Sequence, residues 1–402
     1  MATGPTSHEN SNTNPSNCQE LNEISSLPDE MSKLTKEAPV TPCAKSENSE
    51  KVGGEIKIVV AGGVTTKKVR GRSTQPRSES VEAYICTSEQ IEHGTWLFLS
   101  RMNECRHAAS SVVYEEKEEN QKNKEKPSTS SKSPCKQKPR PLRMIVTGGH
   151  TDGLGTAFDI EELDLAQQNG PWSEFSLKTP LRKLYGHACV VHKHRLLVIG
   201  GRFDNEDNKR IYEIELTKPP NHELRPLIEM PRSICFHGAV KADGKIFIIG
   251  GTEGSNTRQN VLAFELKEIL KGRNTYKELN PLPYPVAQMA TAVWRDNLIV
   301  CGGRENDEKV LNKAILYNVT TKRHFRLPEM TKKRFGCNAV TIGDKIIVMG
   351  GYGEDGKPLK SAEWRDLAKD GTSAWKTFPD MNDERAGATA VRCNIPWENM
   401  IH

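Results

Sequence analysis

Five basic residues stand at similar positions before short apolar segments, where they could bind an anionic partner. Three arginines each precede a valine by six residues, and these are Arg106, Arg334 and Arg385. Arg232 and Lys183 lie within two residues of the same register. A guanidinium group can bind a carboxylate or phosphate through two parallel hydrogen bonds. If the segments repeat around an axis, this spacing predicts a group of cations at one mouth.

A second basic cluster occupies residues 67–72, where Lys67, Arg70 and Arg72 are candidate partner contacts. Acidic loops follow other apolar segments, at 204–207, 305–308 and 354–355. The mouth is therefore expected to carry both signs of charge. For each arginine two interpretations stay open, since it could contact a partner or bond to neighbouring carbonyls and acids.

Three other features resemble chemical sites without the context that such sites need. Residues 351–356 fit GxGxxG, but no amphipathic helix follows, so no dinucleotide site is expected. His187 and His192 are five apart in a strand and point to opposite faces, so they cannot share a metal. Cys105, beside Arg106, is either a redox-sensitive thiol or an ordinary packed or surface cysteine. The sequence predicts no catalytic residue, metal site or cofactor.

Six copies of an apolar segment ending in a glycine pair organise the chain. The second glycines of the pairs are Gly63, Gly149, Gly201, Gly251, Gly303 and Gly351. After the first interval the copies recur at roughly 50 residues, a spacing typical of four-stranded propeller blades. A low-complexity charged insert at 115–141 accounts for most of the longer first interval. The glycines are expected to allow positive φ and close backbone approach where the strand leaves the sheet.

Each period contains four strand signals separated by turn residues. In the third period these signals lie at 187–192, 195–199, 209–216 and 224–228. The first period lacks an inner strand, whereas residues 385–391 resemble 334–340 and have no second strand after them. The end of the chain is therefore expected to supply the inner strand of blade one, which closes a ring of six blades.

These residues resemble the kelch-repeat family, whose motif couples a glycine pair to a downstream Tyr and then a Trp. The resemblance covers residues 56–393 and implies an all-β fold, a six-bladed kelch propeller. Aromatic residues at the third and fourth strands are expected to wedge between blades: Tyr84, Phe158, Tyr212, Phe264, Tyr317, Trp364, Trp96, Trp172, Trp375, Tyr276 and Phe325. Many kelch-like proteins carry BTB and BACK regions that recruit a ubiquitin ligase. Residues 1–55 are expected to be neither, because they are few and polar.

Composition narrows the class of protein. Residues 1–55 contain no Phe, Tyr or Trp and are expected to form a disordered tail, and residues 394–402 form a short C-terminal tail. No apolar run reaches the roughly 20 residues of a membrane helix, and no signal peptide is recognisable. The ten cysteines form no CxxC motif, which favours a reducing compartment, the cytoplasm or the nucleus. The net charge of +5 is too dilute to predict nucleic-acid binding.

The resulting hypothesis is a non-catalytic module that binds a peptide or loop of another protein, through an acidic or phosphorylated segment. The binding face is formed by the loops after the glycine pairs and the loops between blades. Two alternatives stay open. One is a kelch-type enzyme, a metal-radical oxidase or a sugar isomerase. The other is a cytoskeletal scaffold that uses the basic insert at 115–141. If the insert is not such a contact, it is expected to be a phosphorylated regulatory segment or a solvated spacer.

Overall fold

The chain forms a ring of short β-sheets. The structure is a computed structural model and describes residues 55–69, 72–74, 76–115, 142–151, 160–167, 170–175, 177–178, 183–217, 222–369 and 373–395. The expected tails at 1–55 and 394–402 and the insert at 115–141 lie almost wholly outside these residues. At their edges, Glu55, Glu115, Asn394 and Ile395 are strand residues.

Six antiparallel four-stranded sheets form the blades, and in each of them the strands run in order from the axis outward. Blade one has β30 (Thr389–Ile395), β1 (Glu55–Ala61), β4 (Val81–Thr87) and β5 (Thr95–Leu99). Blade two has β6 (Ser110–Glu115), β7 (Leu142–Thr147), β8 (Ile160–Asp164) and β9 (Ser173–Phe175). Blade three has β10 (Ala188–His192), β11 (Arg195–Ile199), β14 (Arg210–Glu215) and β15 (Arg225–Glu229).

Blade four has β16 (Gly238–Ala242), β17 (Lys245–Ile249), β20 (Val261–Glu265) and β21 (Tyr276–Glu278). Blade five has β22 (Ala290–Trp294), β23 (Asn297–Cys301), β24 (Ala314–Asn318) and β25 (His324–Leu327). Blade six has β26 (Asn338–Ile342), β27 (Lys345–Met349), β28 (Ala362–Asp366) and β29 (Lys376–Phe378).

The connections between these strands contain short secondary-structure elements. Three ribbons follow glycine pairs, namely β2 (Lys67–Val69) with β3 (Arg72–Thr74), β12 (Arg202–Phe203) with β13 (Glu206–Asp207), and β18 (Thr252–Glu253) with β19 (Asn256–Thr257). A 3-10 turn spans Ile91–His93, and helix α1 spans Leu266–Ile269. The fold is the predicted six-bladed propeller.

The last strand closes the ring, as the sequence predicted. Strand β30 pairs with β1 along its whole length, from Glu55 opposite Ile395 to Ala61 opposite Thr389. The inner strands contact one another in the closed order β30, β6, β10, β16, β22, β26 and back to β30. Pairing the two ends of the chain in one sheet removes an exposed edge from the innermost position.

The hydrophobic core is divided among the spaces between neighbouring blades. In β11, every residue from Leu196 to Ile199 is fully buried, because each face of the blade packs against a different neighbour. Cross-blade hydrogen bonds add to this packing. Trp96, Trp172 and Trp375 each donate their indole N–H to a loop carbonyl of the preceding blade, at 3.0, 2.9 and 2.8 Å. These three tryptophans thus join blades, as expected. Tyr276 does not, because it is 39% exposed and packs on the Phe264 ring of its own blade. Phe158 lies outside the described residues.

Close backbone approach explains the glycine pairs. The N–H of Gly63 donates to the carbonyl of Arg106 in the next blade at 2.7 Å. A Cβ on Gly62 would lie 2.6 Å from that same carbonyl oxygen, and both glycines have positive φ. Any larger residue would push the neighbouring blade away. The expected role of the pair is confirmed, and it recurs in all six blades.

Candidate functional site: the axial mouth

Loops from every blade meet at one end of the axis, which we call the mouth. They comprise the loops after the glycine pairs and the loops between blades. In each blade a two-residue bridge joins them, and the bridges are Val64 with Ala386, His107 with His150, Tyr185 with Arg202, Cys235 with Thr252, Ala287 with Arg304, and Phe335 with Tyr352. Glu115 and Leu142, which flank the insert, pair at the opposite end of β6 and β7.

A closed ring of six peptide groups surrounds the axis at the mouth. The ring residues are Ala108, Gly186, Phe236, Gln288, Gly336 and Gly387, and all have φ between 54 and 62°. The N–H of each donates to the carbonyl of the ring residue in the preceding blade at 2.7 to 3.0 Å, and the N–H of Ala108 completes the circle by donating to Gly387. Six left-handed conformations are needed for this ring, which explains why three of the six positions hold glycine.

A cavity of about 150 Å³ lies on the axis beside this ring. Its wall comprises the ring residues, the residue that follows each of them, and the side chains of His107 and Tyr352. The following residues are Ala109, His187, His237, Met289, Cys337 and Ala388. His187, His237, Cys337 and Met289 are 6 to 8% exposed, whereas His107, Phe236 and Tyr352 are half-buried.

Two of these histidines keep hydrogen-bonding capacity that no described residue uses. The Nε2 of His187 lies 2.8 Å from the Thr147 hydroxyl, but its Nδ1 has no partner among the described residues. Within the same part of the chain, both ring nitrogens of His237 and the Oε1 of Gln288 are buried and unpaired. Burial lowers the pKa of His187 to about 3 and that of His237 to about 4, so both imidazoles are neutral at pH 7.

Aromatic side chains form a partial belt around the mouth. The Phe335 ring stacks on Tyr352 with centroids 5.0 Å apart, and Tyr352 meets His107 edge-on at 6.4 Å. The belt continues through His150 to Tyr185, whose rings lie 3.8 Å apart. Burial lowers the pKa of His107 to about 4, so this ring is also neutral. The belt offers flat, uncharged surfaces over blades six, two and three.

The three predicted arginines are buried between strands and loops of their own blades. Arg106, Arg334 and Arg385 are at most 1% exposed. Each pairs with a third-strand glutamate, at 2.8 Å to Glu161, 2.7 Å to Glu363 and 2.8 Å to Glu82 respectively. Each also donates to the carbonyl of the first glycine in its blade, at 2.6, 2.7 and 2.9 Å. The expectation that these guanidinium groups face the mouth is corrected, because buried carboxylates and carbonyls already surround them.

Blades three, four and five show what replaces this ion pair. The position two before the ring residue holds arginine in blades one, two and six, and Leu184, Ile234 and Val286 in the others. The third-strand position that holds glutamate in the first group holds Tyr212, Leu262 and Ile315 in the second. Charged residues thus occur at both positions of a blade or at neither. This matching within one chain identifies the arginines as structural anchors of the loops between blades.

Of the remaining predicted cations, the structure describes the side chains of Lys183 and Arg232. The Lys183 side chain is 69% exposed and lies 3.5 Å from Asp204. Arg232 lies against blade four, 3.5 Å from Asn260 and 3.7 Å from Glu278. Lys67 and Arg72 begin the two strands of the β2–β3 ribbon, but their side chains and the whole of Arg70 lie outside the described residues.

Charges on the loops after the glycine pairs are paired locally. Arg202 bonds to Asp207 at 2.7 Å, and Arg304 bonds to Asp307 at 2.8 Å. Lys333 bonds to Glu354 at 2.6 Å across neighbouring loops. The loops therefore carry both signs of charge, and no single-sign field covers the mouth in the part that the structure describes.

Sequence reasoning missed the residues that shape the mouth. His107, Tyr185 and Phe335 each precede a ring residue, and His150 and Tyr352 each follow a glycine pair. The available signal was an aromatic or histidine residue at those two repeated positions. His187 was considered only as a metal ligand, although its place directly after a ring residue sets it on the axis.

The structure also describes the local surroundings of the other features considered in the sequence analysis. The residues after Gly351 form a turn that leads to strand β28, without a helix. Cys105 is half-buried at the surface of a loop. Among the described residues, no three His, Cys, Asp or Glu side chains cluster in a way that could hold a metal ion. None of the helices in the described ranges has the length and apolar character to cross a bilayer.

Six four-stranded blades with a closed inner ring define a six-bladed β-propeller with an axial mouth. The chain belongs to the kelch-repeat family: residues 141–351 match the "KLHDC2/KLHL20/DRC7 Kelch-repeats domain", and residues 333–382 match the "Kelch motif".

Three curated relatives are similar to about half of the chain. The chain is 28% identical to Kelch-like protein 41b of Danio rerio over 208 residues, which is 50% of this chain and 32% of that protein. It is 28% identical to Kelch-like protein 40 of Xenopus tropicalis over 215 residues, 52% of this chain and 33% of that protein. It is 26% identical to Kelch-like protein 25 of Rattus norvegicus over 216 residues, 52% of this chain and 35% of that protein. The match thus spans about a third of each relative.

Proposed function

We propose that this propeller is a non-catalytic interaction module that holds a peptide or loop of another protein at the mouth. The observation that carries the proposal is the axial cavity, whose wall includes the half-buried side chains of His107, Phe236 and Tyr352. Pockets that bind peptides or small molecules are commonly concave and mostly apolar, with a few polar groups that fix orientation. Loops from all six blades contribute, so an extended segment lying across the mouth would contact several of them.

Charge contacts of the partner would be peripheral. Lys183 is exposed, and its separation of 3.5 Å from Asp204 at the surface makes that ion pair weak. Lys183, Arg232 and the basic segment at 67–72 are the proposed contacts for an acidic or phosphorylated residue of the partner. The buried arginines are not among them. We also place the protein in the cytoplasm or nucleus, because seven described cysteines are free thiols.

Two substitutions at the mouth test the proposal. Phe335→Ser with Tyr352→Ser removes one stacked pair of the aromatic belt, while Phe98→Ser removes an aromatic side chain that is 55% exposed on the outer strand β5. In affinity capture with quantitative mass spectrometry, the mouth variant should lose partners that the wild type and Phe98→Ser retain. A melting curve of each variant confirms that the fold is intact. Unchanged capture by the mouth variant would show that the mouth is not the binding surface.

Two further measurements address the alternatives. Deleting residues 116–141 removes the insert between β6 and β7. If this deletion, rather than the mouth variant, abolishes capture, the scaffold hypothesis replaces the proposal. Metal analysis of purified protein addresses catalysis, since a stoichiometric redox metal would favour the oxidase alternative.

A further inference from the structure

The outer strand of blade one differs from the outer strands of the other five blades in carrying no charge. Strand β5 reads TWLFL. Each of the other five contains at least one charged residue, and they read SEF (β9), RPLIE (β15), YKE (β21), HFRL (β25) and KTF (β29). Charged side chains on an edge strand oppose its pairing with a strand of another molecule. Among the outer strands that the structure describes, β5 therefore lacks this protection.

Large apolar side chains are exposed on both faces of β5. Leu97 is 37% and Phe98 is 55% exposed, and consecutive residues of a strand point to opposite faces. The strand is the outermost of its sheet, and no described strand pairs with its outer edge. The Trp96 carbonyl accepts the side-chain N–H of Asn382 at 3.3 Å, and a carbonyl oxygen has a second lone pair for another donor. An unpaired edge between two apolar faces fits an added β-strand.

The residues in and around β5 favour a second copy of the same strand as the occupant. In an antiparallel pair centred on Leu97, the two Leu97 side chains face each other, and Trp96 of each copy faces Phe98 of the other as an aromatic cross-strand pair. Glu92 is exposed before β5, and Arg101 is 72% exposed after it. The antiparallel arrangement brings Glu92 of one copy toward Arg101 of the other at both ends. We propose that this chain forms a two-fold homodimer in which the β5 strands pair about Leu97.

The other outer strands do not complement themselves in this way. Antiparallel self-pairing of β9 about its central residue would set Glu174 opposite Glu174, and that of β21 would set Lys277 opposite Lys277. Like charges directly opposite each other are destabilising. The dimer is also independent of the proposed function, because β5 lies at the periphery of blade one rather than at the axis.

Sedimentation velocity of the full-length protein under reducing conditions tests the proposal. Because a contact through one strand is small, we expect a dissociation constant on the order of 10 µM. The mass should approach twice the 44.9 kDa of one chain as the concentration rises. A mass that stays at 44.9 kDa up to about 200 µM would overturn the proposal, even if β5 captured a strand of another protein.

Substitutions in β5 test whether this strand forms the contact. Leu97→Lys and Phe98→Lys each place a lysine on the edge and should raise the dissociation constant at least roughly tenfold. Tyr276→Lys is the matched control, because Tyr276 is 39% exposed on the outer strand β21 and should be replaceable without loss of the dimer. A melting curve shows whether each variant is folded. The proposal is wrong if either folded β5 variant dimerises like the wild type, or if Tyr276→Lys weakens the dimer equally.

Exchange of the two flanking charges tests the antiparallel orientation. Glu92→Lys and Arg101→Glu should each weaken the dimer, whereas the double variant restores opposite charges at both ends and should recover affinity. Arg101 also bonds to Glu79 of its own copy at 2.9 Å. That bond is lost equally in Arg101→Glu and in the double variant, so their comparison isolates the contact between copies. If the double variant dimerises no better than Arg101→Glu, the pairing about Leu97 is wrong.

Discussion

The buried ion pair of blade six offers a direct test of how the propeller anchors its loops. Blade five holds Val286 and Ile315 where blade six holds Arg334 and Glu363. Three variants follow from this comparison: Arg334→Val, Glu363→Ile and the double substitution that copies blade five. If the pair is a structural anchor, the two residues should be replaceable together but not singly.

The magnitude follows from the contacts. The Arg334 guanidinium donates to Glu363 at 2.7 Å, to the Gly350 carbonyl at 2.7 Å and to the Ser361 carbonyl at 2.9 Å. Glu363 in turn accepts the Thr331 N–H at 2.6 Å. Removing either partner alone leaves an uncompensated buried charge and should cost about 3 to 5 kcal/mol of unfolding free energy. The double variant leaves only neutral loop groups unpaired, so its expected cost is about 1 to 3 kcal/mol.

Urea unfolding of the four proteins measures these values as a double-mutant cycle. Lys333→Val is the control, because Lys333 is adjacent in sequence but its ion pair with Glu354 is exposed at 43% and 66%. That substitution should cost less than about 1 kcal/mol. The anchoring argument is wrong if Arg334→Val costs no more than Lys333→Val, or if the double variant loses the sum of the two single losses.

Three further results are expected. Deleting residues 389–402 removes β30 from blade one and should lower the melting temperature sharply; unchanged melting would contradict ring closure. Gly302→Ala should destabilise more than Gly343→Ala in urea unfolding, because both have φ near 60° but only Gly302 has a neighbouring carbonyl in the way; equal losses would refute the close-approach argument. Burial lowers the pKa values of His187 and His237 to about 3 and 4, below the ordinary value near 6.5. Below pH 6.5 the unfolded chain therefore binds more protons than the folded protein, so the free energy of unfolding should be highest above pH 6.5 and fall toward pH 4. His237→Leu should make this fall shallower. An unchanged slope in the variant would show that His237 does not contribute to the pH dependence.

Much of the fold could be predicted from the sequence because the same short motifs recur along the chain. The glycine pairs at Gly62, Gly148 and their equivalents mark a required backbone conformation, which any sequence with the same turn must show. Likewise, residues 385–391 match the start of an inner strand and predicted the closure that β30 makes with β1. Such features depend on residues close together in the chain.

The site was less predictable, because exposure depends on partners that are distant in sequence. The residues next to Arg385 in the sequence do not indicate that its side chain is buried. The glutamate that pairs with it is Glu82, near the other end of the chain. Only the ring geometry brings these two residues together.

The sequence by itself therefore determined the number of blades, their closure and the end at which the loops gather. Tertiary structure decided which side chains face the axis and which charges are already neutralised. The physical reason is that a turn is specified by its own residues, whereas burial and hydrogen bonding are set by whichever neighbour the closed ring places alongside. In this propeller, the surrounding strands and loops bury the three arginines, whereas His187 and His237 line the cavity at the mouth.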